Sequence, residues 1–288
     1  MSFCQCGPGR FNYPAIGGLV LGGSPKVKPI QMKGGVVAGG YVLPSIPTQV
    51  GDQYAFIMHL IEQGEGVPDE YKNSVLGLAG GWGAPLANPV FIPLQTTDGL
   101  WNYANEFLGN SFIKMPEDSI GNNPITITLW AKITGVWQDR VFWSKGKTDN
   151  QGEGWQLQLG HNANNYPTAR IQVEGEDDWN SYIVTSSNQV DFCWHHYGLI
   201  WNPGVSLSLY IDGVLEDTVE VLEKHLVPST SGSYLGRVDN MRYAEGILQE
   251  LRVAPVIKSE AWLQAEFDNG CQNSLYTVGD EESTVFPL

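Results

Sequence analysis

The chain has 288 residues, enough for one large domain or two small ones, and its 16 Lys and Arg against 31 Asp and Glu give a formal net charge of −15. An excess of acid on this scale repels nucleic acid and anionic lipid, which excludes DNA, RNA and membranes as main partners. Aromatic residues make up 11% of the chain and include 10 Trp, a composition that suits a β-rich domain and is common where sugars stack on exposed rings.

Residues 1–52 form an arm that is rich in glycine and proline. Its prolines forbid a continuous helix, and a segment of this composition is disordered unless something holds it. We therefore predict that the arm is ordered by a partner subunit; the alternative is that it packs on its own domain. Apart from Asp52 at its end, the charged side chains of the arm are all cationic, namely Arg10, Lys26, Lys28 and Lys33. The rest of the chain is strongly acidic.

Two copies of one pattern occur in the arm, each with two glycines on either side of three apolar residues. The apolar triplets are predicted to pair as edge strands, and the glycines allow close approach of the backbone. The residues assigned to assembly are Gly17, Leu19, Leu21, Lys26, Lys28, Lys33, Gly34 and Val36.

The first residues show no basic stretch followed by a long apolar run, so no secretory signal is predicted. The chain has four cysteines, Cys4, Cys6, Cys193 and Cys271. We predict four free thiols made in a reducing cytosol. The alternative is a zinc site built on Cys4 and Cys6, although no second pair with metal-site spacing follows.

From residue 53 onward, apolar and polar residues alternate with a period of two. Ile125–Ile133 has an apolar residue at every second position, and Leu207–Ile211 repeats the pattern before Asp212-Gly213. Such alternation is typical of half-buried strands, and Asp-Gly between two strands indicates a two-residue hairpin. Residues 53–270 are therefore predicted to be a β-sandwich.

A single helix is predicted near the end of the chain, from Ser259 to Asn269. Ser259 is a suitable N-cap, and Gly270 is placed to close the C-terminus. Residues 271–288 are predicted to be an extended acidic tail.

Several segments, in the right order, resemble the laminin-G/pentraxin-like domains of the concanavalin A-like lectin/glucanase superfamily. The most specific is CWHHYGLIWN (193–202); others are ITITLWAKI (125–133), LSLYIDGVLED (207–217) and GILQELRVAPVIKSEAWLQAEF (246–267). The resemblance implies an all-β fold: a two-sheet antiparallel jelly-roll sandwich, here with an extended N-terminal arm and one short C-terminal helix. The glycine-bracketed arm is similar to segments of tailed-phage structural proteins.

The resembled fold hosts enzymes, lectins and structural modules, so function depends on a site. Glycosidases need paired carboxylates on one face of a strand. The alternating acids Glu174, Glu176 and Asp178 flank Gly175 and Asp177 rather than apolar residues, which indicates a solvated hairpin tip and no catalytic residues. His195 and His196 have no third ligand nearby in sequence, and neighbouring strand residues face opposite ways.

Two kinds of binding site remain open. Calcium, common in the resembled family, would take oxygen ligands from Asp69, Asn73 and Glu250; the alternative is solvated loop acids. Sugar would stack on aromatic rings in loop-like stretches, and the alternative is that these rings pack loop against sheet. The candidate rings are Trp82, Trp137, Tyr166 and Trp179.

The favoured interpretation is a non-enzymatic phage virion protein, a capsid decoration (cement) protein that displays a lectin-like jelly roll. Its partners would be other capsid or tail subunits and further copies of itself, and it would be made in the host cytoplasm. The alternatives are a tail, baseplate or surface adhesin that binds host carbohydrate, and a glycoside hydrolase.

Overall fold

The computed structural model describes thirteen stretches of the chain: 37–38, 41–42, 54, 56–61, 70–71, 81–83, 93–115, 124–135, 140–146, 156–172, 182–221, 233–238 and 242–272. Its strands are β1 Val37–Ala38, β2 Tyr41–Val42, β3 Phe56–Met58, β4 Glu70–Tyr71, β5 Gly81–Gly83, β6 Leu94–Gly99, β7 Asn102–Leu108, β8 Ile113–Lys114, β9 Ile125–Ile133, β10 Arg140–Gly146, β11 Gln156–His161, β12 Pro167–Gln172, β13 Tyr182–Thr185, β14 Trp194–Asn202, β15 Ser206–Ile211, β16 Val214–Glu220, β17 Ser233–Leu235 and β18 Glu245–Ala254. Helix α1 runs from Glu260 to Gln272.

The strands form two large antiparallel sheets, which confirms the predicted all-β sandwich. Sheet I has the order β16-β15-β14-β9-β18-β7-β6, with β3 also paired to β18. Sheet II has the order β13-β12-β11-β10-β17-β8-β5-β4. In the arm, β1 pairs with β2 in register Val37↔Val42 and Ala38↔Tyr41. The residues assigned to assembly, Gly17 to Val36, all lie outside the described part of the chain.

The core lies between the two sheets and is built from alternate residues of each strand. In β9 these are the predicted positions, among them Ile127 and Leu129, both fully buried. They share one hydrophobic cluster with Leu199 of β14 and with Leu159 and Trp143 of sheet II. The period-two pattern therefore identified the inward face of the sandwich correctly.

The predicted hairpin at Asp212-Gly213 joins β15 to β16. Both residues have positive φ, 52° at Asp212 and 80° at Gly213, the conformation of the tight turn that matches the twist of paired strands. Gly213 is also needed for space, because a Cβ there would lie 2.7 Å from the Cα of Gln264.

Helix α1 begins as predicted but ends later. Ser259 caps it, since the N–H of Trp262 donates to Ser259 Oγ at 3.2 Å. The prediction that Gly270 closes the helix is wrong, because the helix continues to Gln272. Gly270 has a packing role instead: a Cβ at this position would collide with the ring of Trp130.

Helix α1 covers part of the outer face of sheet I and buries a network of charges there. Glu266 of the helix accepts from Thr128 Oγ1 at 3.0 Å and pairs with Arg252 Nη1 at 3.1 Å. Arg252 in turn holds Glu250, which also contacts His59 Nδ1 at 2.7 Å. Burial opposes the charged form of Glu250, but the positive charges of His59 and Arg252 dominate and lower its pKa.

The prediction of four free thiols is wrong for the two described cysteines. Cys193, just before β14, and Cys271, in the last turn of α1, are both disulfide-bonded. Spacing along the chain cannot reveal such bonds, because the fold and not the sequence brings sulfur atoms together. Cys4 and Cys6 lie outside the described residues.

Candidate functional site

The outer face of sheet II carries a continuous row of mostly polar residues. The adjacent register row, Trp143, Leu159, Ala169 and Val184, is fully buried in the core. Because neighbouring strand residues point to opposite faces, the next row points away from the core. In strand order from β13 to β8 it consists of Ile183, Arg170, Gln158, Ser144, Tyr234 and Lys114. The register continues to Trp82 in β5 and Glu70 in β4.

Three arginines converge beside this row on one shallow pocket. Its lining includes Arg140, Gln158, Gly160, Thr168, Arg170 and Arg242. We call Arg140, Gln158, Arg170, Tyr234 and Arg242 the arginine face. The chain has six arginines in all, so half of them line one pocket of a strongly acidic protein.

Arg140, the first residue of β10, is fixed from two sides. Its Nη2 pairs with Glu245 Oε2 at 2.6 Å, and its Nη1 donates to the carbonyl of Tyr243 at 3.0 Å. The third nitrogen, Nε, is buried and has no hydrogen-bond partner in the described structure. A buried donor without a partner costs free energy, and such donors often mark a place where water or a ligand binds.

The other contacts hold the arginine face together. Arg242 Nη1 lies 3.4 Å from Gln158 Oε1, and the carbonyl of Arg242 accepts from the N–H of Val141 at 3.0 Å. Arg242 has a φ of 54°, a left-handed conformation that non-glycine residues adopt rarely and often at functional sites. Gln158 is 95% buried, as its exposed fraction is 5%, so it forms the floor of the pocket.

Gly160 on β11 makes this close packing possible. A Cβ at residue 160 would overlap the carbonyl oxygen of Arg140 on the neighbouring strand. The register between β10 and β11 shifts between Val141 and Trp143, which is the mark of a β-bulge that redirects side chains. Glycine and the bulge together bring Arg140 to the pocket.

A fourth arginine, Arg237, is stacked among aromatic rings that include Tyr234 of the polar row. The guanidinium carbon of Arg237 lies 3.4 Å from the ring centroid of Phe112 and 4.4 Å from that of Tyr234. Phe112 also meets Tyr234 and Tyr243 edge-on or tilted, with centroids 6.0 Å and 6.3 Å apart. Cation–π contacts of this kind hold Tyr234 in place within the row.

A second polar cluster lies at one end of the sandwich, where Asp212 turns the β15–β16 hairpin. His195 Nδ1 is 2.7 Å from Asp212 Oδ2, and its Nε2 is 2.9 Å from Asp191 Oδ1. Burial lowers the pKa of His195, but hydrogen bonds and the charges of Asp212 and Asp191 outweigh it and raise the pKa to about 9. The ring is therefore a cation at neutral pH that pairs with two carboxylates. This arrangement indicates that His195 stabilises the fold.

Of the four aromatic residues predicted for sugar binding, Trp82 and Tyr166 lie in the described part of the chain. Trp82 is in strand β5 rather than in a loop, in register with Lys114 of the polar row. Tyr166 is half-buried in the β11–β12 hairpin, where its N–H donates to Asn162 Oδ1 at 3.1 Å. Trp137 and Trp179 lie outside the described residues, as do the acids Glu174, Glu176 and Asp178.

Of the three residues predicted to bind calcium, the structure describes only Glu250. Asp69 and Asn73 lie outside the described residues, and the described part of the chain holds no group of three or more side chains suited to a metal ion. Glu250 is buried, with one carboxylate oxygen taken by Arg252 and the other by His59. A calcium ion at Glu250 would have to displace both cations. Calcium at these residues stays a prediction.

The arginines were missed at the sequence level. One signal was present: four of six arginines, Arg140, Arg170, Arg237 and Arg242, fall in a segment of about a hundred residues. Their convergence depends on strand register, which the sequence does not display.

The fold and site define a lectin-like jelly-roll domain with one polar outer face. A family model described as the concanavalin A-like lectin/glucanases superfamily matches residues 107–264, more than half of the chain, and the chain belongs to this superfamily. This confirms the resemblance noted in the sequence. No curated protein matches the chain. Among the described residues, no helix is long and apolar enough to cross a bilayer.

Solved structures share the fold at low identity. The binding domain of Paraclostridial Mosquitocidal Protein 1 superposes with a TM-score of 0.55 at 13% identity, over 76% of this chain and 52% of that chain. Domain 4 of AbnA, a GH43 extracellular arabinanase from Geobacillus stearothermophilus, solved with arabinotriose, gives 0.54 at 14% identity over 71% and 98%. The receptor binding domain of a botulinum neurotoxin mosaic serotype C/D gives 0.53 at 9% over 76% and 51%. The chain thus spans about half the length of both toxin domains.

Proposed function

We propose that the protein is a non-enzymatic, lectin-like module that binds a glycan on the arginine face. The observation that carries the proposal is the polar row across sheet II, in which a guanidinium, an amide, a hydroxyl and a phenol occupy the four consecutive strands β12, β11, β10 and β17. Sugar sites combine ring faces with several converging hydrogen-bonding groups, and this row offers both. The likeness to an arabinanase domain solved with arabinotriose supports a sugar as ligand.

The rigidity of the site supports binding as well. Gln158 is buried and contacts Arg242, and Tyr234 is held by Arg237 and Phe112. Groups that are fixed before the ligand arrives lose little conformational entropy on binding.

The test is a glycan array followed by calorimetry on the retained glycans. Gln158→Ala removes the amide at the pocket floor and should weaken binding by about tenfold or more. Gln95→Ala is the matched control, because Gln95 is an exposed glutamine on β6 of sheet I. Tyr234→Ala provides a second variant, and thermal unfolding of each confirms that it is folded. The proposal fails if no glycan is retained, or if Gln158→Ala and Gln95→Ala bind alike.

The absence of catalysis is part of the same proposal. The carboxylates that resemble a glycosidase pattern most, Glu174, Glu176 and Asp178, alternate with Gly175 and Asp177, which do not fix a strand to a core. Polysaccharide cleavage that disappears in Glu174→Gln would contradict this part of the proposal and restore the hydrolase alternative.

The second part of the proposal is a role in the virion, which is argued from the composition of the arm. The cationic arm of residues 1–52 would anchor the acidic jelly roll to capsid subunits as a decoration protein, or to tail and baseplate subunits, while the jelly roll faces outward. Deletion of residues 1–50 should abolish assembly and spare glycan binding. A surface adhesin would bind the glycan in the same way and would not need the arm for assembly.

A further inference from the structure

We infer that the interface between helix α1 and sheet I binds ordered water, with one molecule that bridges His196 and Glu266. We call it the α1 interface; it includes Trp194 and His196 of β14 and Glu266 and Asn269 of α1. It lies on the opposite side of the sandwich from the arginine face. Glycan binding on sheet II is a separate property, so the failure of one proposal leaves the other standing.

Buried polar atoms without partners are the first reason. In the described part of the chain, the α1 interface holds four such atoms, each without a hydrogen-bond partner: Trp194 Nε1, His196 Nε2, Glu266 Oε2 and Asn269 Oδ1. Their residues are only 1% to 7% exposed, so bulk solvent does not satisfy these atoms. A buried polar atom without a partner costs free energy, and native proteins usually satisfy such atoms with protein groups or ordered water.

The placement of these atoms is the second reason. Trp194 and His196 are two residues apart on β14, and alternate residues of a strand point to the same face. Glu266 and Asn269 are three residues apart on α1, which places them on the same side of the helix. Across the α1 interface, His196 Nε2 lies 3.6 Å from Glu266 Oε2. This distance is too long for a direct hydrogen bond, and a water molecule can join two polar atoms at such a separation.

The mixture of donors and acceptors is the third reason, and it favours water over an ion. Trp194 Nε1 can only donate, an ionised Glu266 can only accept, and His196 Nε2 does either according to its tautomer. A metal ion would need several acceptors, and the described residues include no group of three or more side chains suited to one. Water both donates and accepts, and a buried water molecule commonly makes about three hydrogen bonds to otherwise unsatisfied groups.

Another part of the same layer shows how the protein satisfies such a donor by itself. Trp101 Nε1 donates to the carbonyl of Gly270 on α1 at 3.0 Å. The packing is close there, because a Cβ at Gly270 would collide with the ring of Trp130. The indole of Trp194 and the imidazole of His196 have no such contact with the helix backbone in the described structure, which leaves water as the partner.

A crystal structure of the full chain, at a resolution that shows ordered water, is the first test. We expect density for a water molecule within about 2.7–3.2 Å of both His196 Nε2 and Glu266 Oε2. The wild-type protein is sufficient, so this test does not depend on a variant that folds. A direct hydrogen bond between the two side chains, with no water density beside them, would overturn the inference.

NMR of the full chain tests the same water in solution, through contacts between water protons and the carbon-bound ring protons beside Nε2. His196 should show a cross-peak with the sign of a long-lived water. His195 is the matched control and should show none of that sign, because both of its ring nitrogens contact carboxylates. No cross-peak at His196, or an equal one at His195, would overturn the inference.

Thr128→Val separates water from a nearby hydroxyl group. Thr128 Oγ1 donates to Glu266 Oε1 at 3.0 Å, and its exchanging proton could imitate a water signal. The cross-peak at His196 should survive this substitution, with thermal unfolding used to confirm that the variant is folded. A folded Thr128→Val protein that loses the cross-peak would overturn the inference, because the hydroxyl and not water would then be its source.

Discussion

The clearest stability prediction concerns pH and His195. Its ring contacts Asp212 through Nδ1 and Asp191 through Nε2, and a ring that donates to both carboxylates must carry two protons and a positive charge. The pKa of His195 in the folded protein is about 9 against 6.5 for an ordinary histidine. The stabilisation is therefore complete below about pH 6.5 and is lost as the pH rises through about 9.

The size of the effect follows from the shift. Each pKa unit corresponds to about 1.4 kcal/mol, so the full shift from 6.5 to about 9 gives an upper bound of roughly 3 to 4 kcal/mol in the free energy of unfolding. All three side chains are less than one third exposed, at 23%, 29% and 20%, and solvent screening reduces the value only in part.

Urea unfolding of the wild type and of His195→Gln between pH 6 and pH 10 measures this contribution. Glutamine does not titrate in this range, so the difference in unfolding free energy between the two proteins should shrink as the pH rises. The subtraction also removes the effect of other groups that ionise above pH 9. A difference that stays constant over the whole range would refute the reasoning, as would an NMR titration that places the His195 midpoint near 6.5.

Three further predictions concern the layer under helix α1. Gly270→Ala should cost about 2 kcal/mol in the free energy of unfolding, because the new methyl group meets the ring of Trp130; a neutral result in urea would contradict the packing. Glu266→Ala should lower the free energy of unfolding by about 3 kcal/mol or more, because Arg252 then loses one of two buried carboxylates. Glu260→Ala is the control, because Glu260 is exposed on the same helix; an equal loss in both variants would contradict the role of the buried pair. Reduction with dithiothreitol should lower the melting temperature through a loss of about 2–5 kcal/mol, because both described cysteines are disulfide-bonded; an unchanged melting temperature would contradict a stabilising bond.

The fold was predictable because its main determinants are local in sequence. Alternation in Ile125–Ile133 identified β9 with its observed bounds, and Asp212-Gly213 located a hairpin turn. The same local reasoning failed at Gly270, where glycine usually ends a helix. There the deciding contact is with Trp130, 140 residues earlier in the chain, and no window around Gly270 contains it.

The site was less predictable because it depends on pairing between distant strands. Arg140, Arg170 and Arg242 are on different segments, and only the register of β10, β11 and β12 and the turn before β18 bring them to one pocket. The sequence-based prediction of sugar binding relied on aromatic residues and did not include the arginines that line this pocket. Single residues such as Trp82 or Tyr166 carry no sign of which strand is their neighbour.

The two outer faces of the sandwich differ in whether a helix covers them, because α1 packs on sheet I. On sheet I, α1 buries His196, Arg252 and Glu266 against the sheet, where Glu266 forms ion pairs with the other two at 3.6 Å and 3.1 Å. On sheet II, the described residues include no helix over the polar row, and Arg170 and Tyr234 of that row stay partly exposed. The outer face of sheet I is therefore a packing surface, whereas the described part of sheet II leaves polar side chains within reach of solvent.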